Sequence, residues 1–379
     1  MAPRMPPLRG LPAAVARRAN RVLRGQRTPR NVVRPGPPPG LACEILNREV
    51  LRGFGAAPTV VQHTHLSGWK HAGAYRVFLD TAAGQMSLVF KDARYSADHI
   101  GALQGLPVRP GGPELAVYTR GEPRFAHWIP RALWCMETVP NERYQYLLED
   151  LDPTHARPGH SATPSALCAQ LPQFHDDLHA AFGDDPDTFL RYDAAFAGQM
   201  LGYAHDALSR YAQRPGTRAV RRLLGDWDRL EQQYLTGRDE VFARVPLQPI
   251  HGDLNLANVL NARHGGDEFR LLDWEWAGVG LPHFDLATAL KGAATDAERQ
   301  ALEAYGRASS GHESTTELWQ TYRWCQLLRS LLDASFLARQ RMDSTLTGRL
   351  DLDRYVRDSV SRGNRAVDEL ERIGSRTWA

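Results

Sequence analysis

Between Ile250 and Ala277 the chain reads IHGDLNLANVLNARHGGDEFRLLDWEWA. Asp253 is followed five residues later by Asn258, and a third oxygen-bearing side chain, Asp273, closes the apolar run Leu271-Leu272. The turn-like Arg263 to Asp267 makes the second half a short hairpin, which predicts that Asp273 arrives beside the loop bearing the first two. Asp and Asn are also common turn formers and caps, so the spacing alone leaves a structural role open. The strand-borne carboxylate narrows the reading. Two carboxylates and an amide are what phosphoryl transfer from a magnesium nucleotide requires: Asp253 to take the proton of an attacking hydroxyl, Asn258 to hold a metal ion, and Asp273 to bridge metal and phosphates. Magnesium prefers hard oxygen donors and keeps several waters, so one carboxylate and one amide oxygen plus phosphates suffice.

His251-Gly252-Asp253 followed by Asn258 matches the spacing of the protein-kinase catalytic loop, with Gly in place of the Arg that usually follows His. This form of the loop resembles that of aminoglycoside phosphotransferases and choline kinases, and the likeness covers roughly residues 58 to 340, strongest from Ile250 to Ala287. The resemblance implies an α+β, bilobal protein-kinase-like fold with a small antiparallel β-sheet N-lobe and a larger, mainly helical C-lobe. The implied organisation is a basic Pro/Arg-rich arm at 1–40, a nucleotide-binding N-lobe at 41–150, and a C-lobe at 151–379 with the catalytic loop and acceptor-binding helices. Trp274 and Glu275 stand where protein kinases carry the Phe and Gly of Asp-Phe-Gly, and no Ala-Pro-Glu follows, which counts against a regulated protein-kinase activation segment. Glu275 and Trp276 are expected to line the acceptor pocket. Asp285, in Leu281-Pro282-His283-Phe284-Asp285-Leu286-Ala287, resembles a recurring Asp-Leu-Ala of the family and is expected to cap the next helix and brace the catalytic loop.

Upstream, Val60 to His65 and Tyr75 to Leu79 read as strands flanking Leu66 to Gly73. That loop has two glycines, and its backbone amides at Ser67 and Gly68 are candidates for phosphate contact. A third strand, Ser87 to Lys91, ends in one of only three lysines, Lys70, Lys91 and Lys291. None of the three follows a glycine, which excludes a Walker A loop. The resemblance places Lys91 on the α and β phosphates and pairs it with a helix-borne glutamate, Glu114, which sits behind Pro113 where a helix dipole favours a carboxylate. Strands at Ala132 to Val139 and Tyr144 to Leu148 lead into Leu147 to Leu151, which resembles the adenine-binding hinge and makes Glu149 and Leu151 candidates for the nucleotide.

Beyond Pro153 the chain turns helical, with candidates at Ser165 to Phe182, Ala194 to Tyr211, Thr217 to Leu235, Ala297 to Ser309, Glu317 to Arg341 and Leu352 to Ile373. Each carries apolar residues at spacings of three and four. His175-Asp176-Asp177-Leu178-His179 places two histidines a turn apart, but Asp replaces the Glu of the zinc-protease motif and no third ligand is apparent, so a packing role is expected.

Net charge is +3, yet of 46 basic residues nine lie within residues 1–40, which hold no acid, leaving 37 against 43 acids and a body near −6. That sign suits a cationic acceptor and argues against a nucleic-acid-binding core. The arm is expected to be disordered, with Ala13 to Leu23 able to form a short basic amphipathic helix on an anionic surface, and a tether to nucleic acid or an anionic membrane is a further reading of the whole arm. Arg17-Arg18 lacks a following apolar stretch, so export is not expected. No run of some 18 apolar residues predicts a membrane span. Cys43, Cys135, Cys168 and Cys325 are scattered, which reads as reduced thiols in a cytoplasmic protein.

Taken together, the motifs and the resemblance imply transfer of the γ-phosphoryl group of ATP or GTP, with Mg2+, onto a hydroxyl of a small molecule such as an aminoglycoside or other antibiotic. A biosynthetic or salvage kinase acting on a sugar, amino alcohol or peptide serine is the alternative. A catalytically silent kinase-like module tethered by its arm is the reading from another class, and the intact Lys91, Asp253, Asn258 and Asp273 set argues against it.

Overall fold

The computed structural model describes residues 59–67, 72–81, 84–94, 112–120, 123–140, 142–151, 155–156, 164–183, 188–262, 268–309, 313–343 and 352–377. The basic arm, Cys43, Gly68 and the turn at 263–267 lie outside them. The chain divides into two compact units, with the boundary after Lys91.

The first unit holds β1 (Thr59–Ser67), β2 (Ala72–Thr81) and the greater part of β3 (Gly84–Arg94). β1 and β2 pair antiparallel, from Thr59 opposite Asp80 to Ser67 opposite Ala74. Alternation decides which face is covered: Tyr75, Val77 and Leu79 on β2 and Leu88 and Phe90 on β3 are buried, two residues apart.

In the second unit, α1 (Gly112–Arg120) precedes the antiparallel pair β4 (Ala132–Val139) and β5 (Arg143–Glu149). The helical part comprises α2 (Pro164–Phe182), α3 (Ala194–Ala212), α4 (Arg218–Gly225), α5 (Trp227–Arg244), α6 (Pro282–Ala289), α7 (Thr295–Ala308), α8 (Thr315–Asp343) and α9 (Leu352–Thr377). On α2, Leu167, Leu171, Phe174, Leu178 and Phe182 are buried at steps of three and four, the stripe expected of a packed helix. The side chain of Asp193 caps α3 by accepting from Phe196 N at 2.9 Å. Ser314 and Glu317 cap α8 reciprocally: the Glu317 side chain accepts from Ser314 N at 2.8 Å and the Ser314 hydroxyl accepts from Glu317 N at 3.3 Å. The fold is therefore mixed α+β, with a small antiparallel sheet and a larger helical part, as the sequence predicts.

One expected helix is divided. Thr217 to Leu235 forms α4 and α5 with a break at Asp226, whose N–H turns back to the Arg222 and Leu223 carbonyls. Gly225 lowers helix propensity there by about 1 kcal/mol, and the second piece continues to Arg244 because Leu230, Tyr234 and Val241 go on being buried.

Two three-stranded sheets hold the loop of interest. β6 (His155–Ala156), β9 (Val259–Ala262) and β10 (Phe269–Leu271) form one, with β9 at its centre. β7 (Leu190–Arg191), β8 (Gln248–Ile250) and β11 (Gly278–Gly280) form the other, β11 lying parallel to β7 and antiparallel to β8.

Candidate active site

The loop from His251 to Asn258 connects β8 to β9, and three buried groups determine its path. Asp285, fully buried in the first turn of α6, accepts from His251 N at Oδ2 and from Gly252 N at Oδ1, each at 2.8 Å. His175 of α2 supplies a third hydrogen bond, Nε2 to Asp285 Oδ2 at 3.1 Å. A carboxylate only accepts, so Nε2 of His175 carries the hydrogen. The expectation that Asp285 caps α6 is corrected: Leu281 precedes the helix with no side-chain cap, Pro282 opens it, and the carboxylate turns to the loop, where two backbone donors need an acceptor. Its bracing role is as expected. The packing role expected for the paired histidines applies to His175, which is buried, while His179 is exposed.

His251 is itself buried and bonded through both ring nitrogens, Nε2 to the Leu272 carbonyl at 3.0 Å and Nδ1 to Asp253 N at 3.3 Å. The first partner can only accept and the second only donate, which describes a neutral ring protonated at Nε2. Burial holds its pKa below the usual 6.5, outweighing the upward pull of Asp285.

Gly252 occupies a position no other residue fills. Its φ is +76°, and a Cβ there would stand 2.0 Å from the Trp276 carbonyl oxygen. That carbonyl also accepts from the Tyr192 hydroxyl at 2.8 Å, so it has no room to withdraw. The departure from the protein-kinase Arg at this position thus has a local steric cause.

Asp253 follows, and its carboxylate is held at both oxygens. Oδ1 accepts from Arg329 Nη2 at 2.7 Å, and Oδ2 accepts from the amides of Asn255 and Asn258 at 3.0 and 3.2 Å. Burial raises the Asp253 pKa above 3.8; Arg329 opposes this, and repulsion from Asp273 adds to it. Asn258 also donates to the Asp253 carbonyl at 3.0 Å. Both partners of this amide are acceptors, so its nitrogen must face Asp253 and its Oδ1 is turned away from that residue.

Asp273 reaches the loop by the expected hairpin: β9 and β10 pair antiparallel with Leu271 opposite Val259, and Leu272 N donates to the Asn258 carbonyl at 2.8 Å. Asp273 is half-buried, and at φ +68° it is the one non-glycine among the described residues in the left-handed region. The reversal follows from Trp274, a fully buried ring whose Nε1 donates to the Leu271 carbonyl at 3.2 Å and which packs on His251 and Phe125 at 4.4 and 5.3 Å. To send this ring inward directly after a strand, the backbone turns at Asp273, at a cost of order 1 kcal/mol or more.

Asp253, Asn258 and Asp273 are thus gathered on one loop and the adjoining hairpin. Of the other expected residues, Ser67 pairs with Ala74 in the first unit, and Lys91 is half-buried on β3. Glu114 is fully buried on α1, which packs against the turn Trp274–Trp276. Glu149 ends β5, where its Oε1 accepts from Arg131 N at 2.9 Å, and Leu151 is buried. Trp276 Nε1 donates to the Glu275 carboxylate at 3.1 Å, and its ring meets Phe336 edge-on at 6.4 Å. Arg329 was not visible as a site residue: its i, i+4 partner Asp333 is the only local signal, and arginine makes up most of the 46 basic residues.

The donor set fits a hard divalent cation, since it offers a carboxylate at Asp273 and an amide oxygen at Asn258. Among the described residues no group of three or more His, Cys, Asp or Glu is placed to hold a metal by itself, and Mg2+ bound with nucleotide phosphates needs no such cage.

Residues 71–328 match the family described as the phosphotransferase enzyme family, APH. No curated protein sequence matches the chain. Among solved structures, a choline/ethanolamine kinase family protein from Mesorhizobium loti is 13% identical with a TM-score of 0.55, covering 88% of this chain and 95% of its own. Choline kinase from Cryptosporidium parvum is 12% identical with a TM-score of 0.55, covering 83% and 90%. Plasmodium vivax ethanolamine kinase is 11% identical with a TM-score of 0.52, covering 80% and 81%. At these identities the likeness is one of fold.

Proposed function

Because the chain belongs to the phosphotransferase enzyme family and is an enzyme that carries phosphoryl groups to an alcohol, we propose that it moves the γ-phosphoryl group of ATP, or of GTP, onto a hydroxyl of a small molecule, with Asp253 as the base. One observation carries this reading: the Asp253 carboxylate is fixed at both oxygens on a loop whose backbone is itself tied to a buried carboxylate. A carboxylate that only caps a turn does not need an arginine from a helix 76 residues away.

In this proposal Asp253 orients the acceptor hydroxyl and receives its proton. Asn258, through Oδ1, and Asp273 are the residues that would hold Mg2+, which when bound neutralises charge gathering on the phosphate oxygens. Ser67, Gly68, Lys91, Glu114, Glu149 and Leu151 are carried forward as nucleotide-binding residues, with the nucleotide lobe at 41–150 and the acceptor lobe at 151–379. Free thiols at Cys135, Cys168 and Cys325 support a reducing, cytoplasmic setting. Attachment of the basic arm to an anionic surface belongs to the same proposal, and salt-dependent retention on acidic vesicles that is lost on deleting residues 1–40 tests it.

Asp253→Ala is expected to abolish turnover while ATP affinity, read by calorimetry, changes less than about threefold. An equal loss of ATP affinity argues against the base assignment. Aminoglycosides, amino alcohols, nucleosides, sugars and serine peptides, each incubated with labelled ATP, identify the acceptor, and a cationic aminoglycoside is the expected class given the acidic body.

A further inference from the structure

Arg329 of α8 spends its guanidinium on three acceptors around the loop. Nη2 donates to Asp253 Oδ1 at 2.7 Å, Nη1 to the Gly252 carbonyl at 3.0 Å, and Nε to Asp333 Oδ1 at 3.0 Å. Asp333 is fixed in turn, since Lys291 Nζ lies 2.6 Å and Arg362 Nη2 3.6 Å from its Oδ2. Burial pushes the Asp333 carboxyl up, and the surrounding cations outweigh this and keep it below 3.8, so Arg329 has a charged anchor on the helix behind it. The side chains of Arg329 and Asp333 are 14% and 9% exposed, which leaves the fork little freedom to swing.

The two oxygens of Asp253 are not equivalent in this arrangement. A carboxylate oxygen offers two lone-pair directions. Those of Oδ2 are filled by the Asn255 and Asn258 amides, and among the described residues Oδ1 accepts only from Arg329. Among the described residues one lone pair is left open, on the oxygen the arginine holds. A solvent-facing ion pair would bring no such ordering, and an arginine serving only to neutralise Asp253 would have no reason to bridge the Gly252 carbonyl as well.

We infer that Arg329 is a positioning residue for the transfer, clamping the Asp253 carboxylate to its own backbone so that the acceptor hydroxyl is met by Oδ1. This rests on Asp253 being the base. In the step it serves, the acceptor O–H bond breaks and its proton passes to Oδ1 as the acceptor oxygen bonds to the γ-phosphorus. The bond from that phosphorus to the bridging oxygen breaks, and its electron pair leaves with the nucleoside diphosphate. Lysine in place of Arg329 would keep the charge but lose the planar fork that spans Oδ1, the Gly252 carbonyl and Asp333.

The test compares Arg329→Gln, Arg329→Lys and Asp253→Asn in the full-length protein, with an acceptor found by the panel. For Arg329→Gln, kcat is expected to fall about 100-fold while KM for ATP changes less than threefold. Arg329→Lys is expected to leave kcat well below the wild type, because charge alone does not rebuild the fork. If Arg329→Gln keeps the wild-type kcat while Asp253→Asn is inactive, the clamp is overturned and the base stands. If Asp253→Asn retains the wild-type kcat, base and clamp fall together. Should Arg329→Gln not fold, Arg329→Lys decides alone, wild-type kcat overturning the clamp.

Discussion

Removing the Asp285 carboxylate separates a loop held by local turn geometry from one held by a buried acceptor. Asp285→Ala orphans three buried donors at once: the backbone N–H groups of His251 and Gly252 and Nε2 of His175. Each buried donor left without a partner costs about 1–3 kcal/mol, which bounds the loss at roughly 3–9 kcal/mol. Deleting the anion also removes the cost of keeping a charge at a fully buried position, which draws the expectation to about 3–5 kcal/mol. Asp285→Asn is milder. Its amide oxygen can replace Oδ2 and serve His251 N and His175, but its NH2 then confronts Gly252 N–H, for a loss of about 1.5–3 kcal/mol. The assay is urea unfolding at pH 7 with hydrogen exchange read at the Gly252 amide. The expected result is a lower midpoint for Ala than for Asn, with faster exchange at Gly252 in both. A loss under about 1 kcal/mol in Asp285→Ala, or unchanged exchange at Gly252, refutes the claim that this carboxylate shapes the loop.

Gly252→Ala is expected to destabilise the protein by more than about 2 kcal/mol and to lower kcat more than 10-fold, because the new Cβ meets the Trp276 carbonyl and the left-handed φ disfavours any side chain; thermal melts and steady-state kinetics check it. Stability should also fall with acid through His251. Its folded pKa lies below 6.5, so as pH drops beneath 6.5 the unfolded chain takes up a proton that the native state refuses, and stability is lost from there down to the folded value. Urea midpoints from pH 7.5 to 5 should decline less steeply in His251→Gln than in the wild type, and parallel declines would count against the assignment.

Much of this was legible along the chain because it depends on near neighbours. The strand and helix pattern follows from alternation and from steps of three and four, and the hairpin that delivers Asp273 beside Asn258 follows from an apolar strand after a turn. The break at Asp226 escaped because apolar spacing continues on both sides of it, and a single glycine does not reveal whether a helix tolerates it or divides. Asp285 was recognisable as a brace, yet its target was hidden, since a carboxylate in a first helical turn reads equally as a cap.

The sequence by itself determined the order and spacing of Asp253, Asn258 and Asp273, because a loop of a few residues has few ways to turn, whereas the need for a side-chain-free residue at Gly252 came from the Trp276 carbonyl packed against it. Tertiary structure alone decided that Arg329 grips Asp253 across 76 residues and that His175 meets Asp285 across 110. The reason is physical: buried donors and charges must find partners wherever packing brings them, and nothing in the local pattern of a long amphipathic helix records which of its arginines that will be.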